Sequence, residues 1–224
     1  MSVRIPGEAH VPVAAQPPGD GPVVGVLALQ GDVLEHVTML RSGGATAVMV
    51  KRAEELERID GLVIPGGEST TIGKLADMYG LLEPLRKAID GGLPVLGTCA
   101  GAILLSRRAL FADGAPSSQP LIGALDATTR RNAFGRQVAS FESDLDVEGI
   151  DGGPLHAVFI RAPWFEDVGS DVAVLASVDT AGGSRAVVVR QGVVMAAAFH
   201  PELSGDPRLH QAFVALISAG PGIR

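Results

Sequence analysis

Cysteine is nearly absent from this chain of 224 residues: only Cys99 occurs. One cysteine cannot close an internal disulfide, and no Cys/His cluster has the spacing of zinc ligands, so neither covalent staple nor metal is expected. Long apolar runs are missing too. Val193 to Phe199, near the end, stops at His200, far short of the roughly 18 residues of a membrane span. No positively charged start with an apolar stretch behind it marks a signal peptide. Basic charge is in deficit, with 18 Lys and Arg against 25 Asp and Glu, a net charge of −7 and a pI near 5.2. That balance argues against nucleic acid as the main partner. The expectation is a soluble protein of the reducing cytoplasm, without nucleic acid, membrane, metal or cofactor, whose thiol stays available.

What is present suffices for a full core: 46% of residues are hydrophobic and the mean hydropathy is +0.30. Residues 1–22 are rich in proline and glycine without an apolar period, which reads as a flexible extension ahead of one domain at 23–224. Val23 to Leu29 is a continuous apolar run of a strand buried on both faces. Asp32 and Glu35 make a capping pattern for a helix with Val33, Val37 and Leu40 on one face, closed by Gly43 and Gly44. Strands at Ala45 to Val50, Asp60 to Ile64 and Pro94 to Gly97 alternate with helical stripes up to Gly80 and from Leu82 to Ile89. The alternation predicts a parallel sheet with helices on both faces and sites at the carboxyl ends of its strands. The second half is β-rich, near Leu125 to Thr129, Val138 to Leu145, Ala157 to Ile160 and Val172 to Val178. It then forms a hairpin turning at Gln191-Gly192, and a last helix capped by Asp206-Pro207 carries Leu209, Phe213, Leu216 and Ile217 inward.

Cys99 lies in G-T-C-A-G, between Gly97 and Gly101 at a strand end, the cysteine counterpart of a nucleophile elbow. A helix starting there turns its free N–H groups toward the sulfur, favouring thiolate and offering an oxyanion cradle. A base is supplied by His200 in F-H-P-E-L, with Glu202 two residues on; in extended chain the two share a side, giving a Cys-His-Glu triad. His36, His156 and His210 have no charged neighbour at productive spacing and read as structural, and His10 falls in the extension. Gly66-Gly67 lets backbone approach a ligand, Glu68 adds a carboxylate, and Arg131 and Arg161 are candidate carboxylate clamps.

With P-G-G-E-S-T-T, G-T-C-A-G, R-N-A-F-G-R-Q, F-I-R-A-P and F-H-P-E-L in one chain, the sequence resembles the glutaminase subunits of pyridoxal 5′-phosphate synthase, within the class I glutamine amidotransferases. The first-strand run V-G-V-L-A-L-Q-G is similar as well, so the resemblance extends from about Val23 to the C-terminus. It implies an α/β, flavodoxin-like three-layer domain with a mostly parallel central sheet. It also implies hydrolysis of L-glutamine to glutamate and ammonia, and delivery of the ammonia to a synthase subunit in a hetero-oligomer. Carried over motif by motif, the nucleophile is Cys99, the base His200 and the orienting acid Glu202. Gly67, Glu68, Ser69, Arg131, Ile160 and Arg161 then hold glutamine, and the Gly67 and Ala100 amides receive the oxyanion. Three alternatives share part of this pattern: the glutaminase of another amidotransferase such as one in histidine biosynthesis, a cysteine hydrolase of another substrate, and a non-catalytic regulatory module on the same fold.

Overall fold

The computed structural model describes residues 21–134 and 140–220. All but the last two residues of the expected extension lie outside these, as do residues 135–137 of the R-N-A-F-G-R-Q run.

The first half follows the alternation read from its apolar runs. Its strands are β1 (Val23–Leu27), β2 (Thr46–Val50), β3 (Gly61–Ile64) and β4 (Val95–Thr98). Its helices are α1 (Val33–Ser42), α2 (Ser69–Met78), α3 (Leu82–Asp90) and the short α4 (Ala100–Leu105). Every residue of β3 and β4 is buried, as central strands covered on both faces require. Strands β1, β2, β3 and β4 pair in parallel in the order β2-β1-β3-β4.

The second half adds β5 (Ser106–Leu110), β6 (Leu125–Arg130), β7 (Ser140–Leu145), β8 (Leu155–Ile160), β9 (Trp164–Glu166), β10 (Ala173–Thr180), β11 (Gly183–Gln191), β12 (Val194–Ala197) and α5 (Arg208–Ala219). Its strands extend the sheet through β4-β12-β11-β9-β6-β5, with β10 on β11, while β7 and β8 form a separate ribbon. The main sheet is thus mostly parallel with antiparallel strands added on one side. β11 and β12 form the expected hairpin, pairing Gln191 with Val194 across the turn. β5 and β9 have no counterpart in the sequence pattern: Ser106-Arg-Arg-Ala-Leu110 exposes both arginines, and three residues are too few to show a period.

One register decides where the site lies. β12 pairs in parallel with β4, Ala197 beside Thr98, and the Cys99 N–H donates to the Ala197 carbonyl at 2.9 Å. Residues leaving these two strands therefore emerge side by side. The last helix begins one residue later than its Asp206-Pro207 pattern, with the Asp206 carboxylate accepting the Arg208 N–H at 3.0 Å, and it buries Leu209 and Phe213 completely. At α1 the expected cap differs: Asp32 holds the N-cap position but makes no capping hydrogen bond, because its carboxylate turns toward His200. Among the described residues no helix is long and apolar enough to cross a membrane.

Candidate active site

Cys99 joins β4 to α4 with φ +45° and ψ −99°, outside the regions a side chain prefers. Such a turn persists only where the surroundings hold it. A Cβ at Gly101 would lie 2.0 Å from the Ile64 carbonyl oxygen, so glycine there is what lets α4 press on the end of β3 and keep the turn tight. The thiol is largely buried, and the Ala100 amide, first in α4, has no carbonyl one turn back to bond.

His200 leaves β12 beside it. The imidazole lies on Gly66, where a Cβ would stand 2.5 Å from Cε1, so only glycine admits the ring. Its Nδ1 is 2.7 Å from Glu202 Oε1 and 3.3 Å from Asp32 Oδ2, and the ring lines the same pocket as Cys99. The pairing of His200 with Glu202 agrees with the sequence reading, but not the route to it. Pro201–Leu203 is a 3-10 turn rather than extended chain, and the turn folds the carboxylate back under the ring. Burial works against charge on His200, but the hydrogen bonds and negative charge of Cys99 and Glu202 outweigh it and push its pKa up to about 10. Burial also lifts the Glu202 carboxyl above its ordinary range, with His200 pulling the other way.

These groups open into a pocket of about 360 Å³. Cys99, His200, Gly67, Glu68, Ser69, Ala100, Arg131, Ile160 and Arg161 all line it, and Glu202 stands behind His200. Glu68 caps α2, accepting the Thr71 N–H at 2.7 Å and the Thr70 N–H at 3.2 Å. Although partial burial opposes it, the Thr71 and Thr70 hydrogen bonds hold its carboxyl below the usual range. The same carboxylate pairs with Arg131 Nη2 at 3.0 Å, while Arg131 Nη1 donates to Gln119 Oε1 at 2.8 Å and Thr70 Oγ1 at 3.1 Å. Arg161 follows β8 with φ +45°, and among the described residues its guanidinium has no hydrogen-bonding or ionic partner. One arginine is anchored and one is free for an anionic group.

Sequence reasoning missed Gln30, Asp32, Ile103, Asn132 and Leu203 in this lining. Gln30 follows β1 and accepts the Glu68 N–H at 2.8 Å; it lies in the V-G-V-L-A-L-Q-G run, which the sequence reading used only for the resemblance and not for the site. His156 is not without charged neighbours, since its ring nitrogens lie 3.0 Å from Asp144 on the facing strand and from Glu142. His36 and His210 are fully buried, and His36 Nε2 is 3.3 Å from Glu202 Oε2.

Residues 26–219 match the SNO glutamine amidotransferase family. The chain belongs to that family. A relative from Parafrankia sp. (strain EAN1pec) is 59% identical over 203 residues, covering 91% of this chain and 97% of its own, and one from Rhodococcus jostii (strain RHA1) is 60% identical over 199 residues, covering 88% and 97%. Both are named pyridoxal 5′-phosphate synthase subunit PdxT. A crystal structure of a glutamine amidotransferase is 52% identical with a TM-score of 0.79 over 87% of this chain and 98% of its own. The PurLQS structure from Thermotoga maritima, at 18% identity and a TM-score of 0.62, shares the fold alone. In this family member the oxygens of Asp32 and Glu202 and a ring nitrogen of His200 lie within 4.8 Å of one another, a spacing that suits a cation. The same three groups are joined by ion pairs, His200 Nδ1 lying 2.7 Å from Glu202 and 3.3 Å from Asp32.

Proposed function

We propose that this amidotransferase is the glutaminase subunit of a pyridoxal 5′-phosphate synthase. It hydrolyses L-glutamine to L-glutamate and ammonia and hands the ammonia to a synthase subunit in a hetero-oligomer. The observation that carries the reading is a buried imidazole, paired with Glu202 and lining with Cys99 a pocket that also holds an unpartnered guanidinium, Arg161. The naming of the two relatives, matched over nearly their whole length, supports the synthase over a histidine-biosynthesis partner. A reactive centre of this kind has no use in a regulatory module, and a thiol that must stay reduced suits the cytoplasm.

The thiolate of Cys99 attacks the side-chain carbonyl carbon of glutamine, and the carbonyl electron pair moves to oxygen. Backbone N–H groups of Gly67 and Ala100 hold that oxyanion; a lost donor of this type costs about 100- to 1,000-fold in rate. As the C–N bond breaks, His200 gives its proton to the leaving nitrogen and ammonia departs. Neutral His200 then takes a proton from water, whose oxygen attacks the glutamyl thioester. Collapse breaks the C–S bond, releases glutamate and restores thiolate and imidazolium. Gly67, Glu68, Ser69, Ile160 and the anchored Arg131 shape the pocket around the substrate, with Arg161 receiving its α-carboxylate. Glu202 orients His200.

The test is ammonia release from glutamine by the purified chain, with and without the synthase subunit. Cys99→Ala should abolish release while glutamine still binds. Turnover by that variant would remove Cys99 as the nucleophile, and release unaffected by the synthase subunit would remove the partnership.

A further inference from the structure

Behind the triad lies a group of buried polar side chains that the mechanism does not use. Glu202 Oε1 faces His200, but its other oxygen is buried and lacks a hydrogen bond of ordinary geometry. Against that oxygen stands His36 Nε2, at 3.3 Å, which also lies 3.0 Å from the hydroxyl of Thr98, the residue before the nucleophile. On its far side His36 Nδ1 is 2.9 Å from His210 Nε2 on α5, and His210 Nδ1 has no partner among the described residues. His36, Thr98 and His210 are all fully buried.

The proton positions follow from counting. Between His36 Nδ1 and His210 Nε2 one nitrogen donates and the other accepts. If His36 donates there, its Nε2 turns a lone pair toward a carboxylate oxygen, and His210 Nδ1 becomes a buried N–H with nothing to bond. If His210 donates, His36 Nε2 carries the hydrogen, which bonds the Thr98 hydroxyl and lies beside the Glu202 oxygen, and the orphan at His210 Nδ1 is an acceptor. A buried N–H without an acceptor is the rarer and costlier fault. A doubly protonated His36 leaves the same orphan donor. Burial supports neutrality: it holds the pKa of His36 well below its ordinary value, with further lowering from His210 and His200, and brings that of His210 down to about 4.

We propose that His36 is a positioning residue of the triad, a neutral imidazole set in its Nε2–H form by His210, whose positive N–H end, held by Thr98, attracts the second oxygen of Glu202 so that the first faces His200. It ties α1, β4 and the 3-10 turn together at one point. The inference rests on the triad assigned above, and its test separates the two.

Nitrogen NMR of the histidine side chains in the intact protein reads the tautomer without any assay. The expected signature at His36 is a protonated Nε2 and a bare Nδ1, and a protonated Nδ1 overturns the proposal. Kinetics of ammonia release, in complex with the synthase subunit, read the consequence. His36→Leu should lower kcat by about 10- to 100-fold with little change in KM, the usual cost of orphaning a buried charged group. His36→Gln, whose amide donor reaches close to the Nε2 position, should recover most of that loss. In a Glu202→Gln background His36→Leu should add less than about twofold, because its effect passes through Glu202. Full multiplication of the two defects, or equal losses in His36→Leu and His36→Gln, sinks the proposal. A Glu202→Gln variant with unchanged activity would instead sink the triad. Should His36→Leu fail to fold, the tautomer and His36→Gln alone decide.

Discussion

Two carboxylates reach the same nitrogen of His200, from opposite settings. Glu202 Oε1 stands at 2.7 Å with its side chain shut off from solvent, whereas Asp32 Oδ2 stands at 3.3 Å on a side chain 37% exposed in the pocket. Charge for charge they are alike, but water and ions screen the second and not the first. Burial makes Glu202 expensive to leave unpaired, so its partners His200 and His36 are held in place. Asp32 is free to respond to whatever enters the pocket. One turn of α1 supplies both sides of the arrangement, Asp32 toward His200 and His36 toward Glu202, four residues apart on one face.

The comparison breaks most severely where both carboxylates lose their common partner. His200→Asn should cut kcat for ammonia release about a millionfold, the scale seen when a triad base is removed. Glu202→Gln keeps the ring and loses its buried charge; about ten-thousandfold is expected, and a defect equal to that of His200→Asn would mean that Glu202 does more than orient. Stability sharpens the point next. A His200 pKa of about 10 in the fold, against 6.5 unperturbed, is a raised value. Its stabilising contribution is therefore complete below about pH 6.5 and is lost as pH climbs through about 10. The Tm advantage of wild type over His200→Asn should shrink across that window, and an advantage that grew with pH would contradict the ion pair. Smallest is Asp32→Asn, for which screening predicts less than about a fivefold change in kcat and a His200 titration shifted less than in Glu202→Gln. A larger change would show that the exposed carboxylate shares the buried one's task.

The parts of this site that were legible in the sequence each carry a signal within a few residues. Gly97 to Gly101 around Cys99, Gly66-Gly67 before Glu68, and His-Pro-Glu at 200–202 are short patterns at strand ends, and all of them line the pocket or stand directly behind it. Asp32 was misread for the same reason. Its local pattern is that of a helix cap, and only the arrival of His200 from the far end of the chain turns its carboxylate elsewhere. His36 and His210 looked idle because their partners are distant in sequence, and His156 because its partner Asp144 lies across a strand pair. β5 and β9 were invisible since edge and three-residue strands bury too little to impose a period.

By itself the sequence determined the alternation of strands and helices, the tight turn at Cys99 and the chemistry carried at each strand end, because periodicity and backbone conformation are local properties. Tertiary structure alone decided that β12 lies beside β4, with Ala197 next to Thr98, so that His200 meets Cys99. It also decided that Glu202 is closed off behind His200 against His36. Pairing and burial depend on which distant surfaces exclude water together, and that is a property of the whole folded chain.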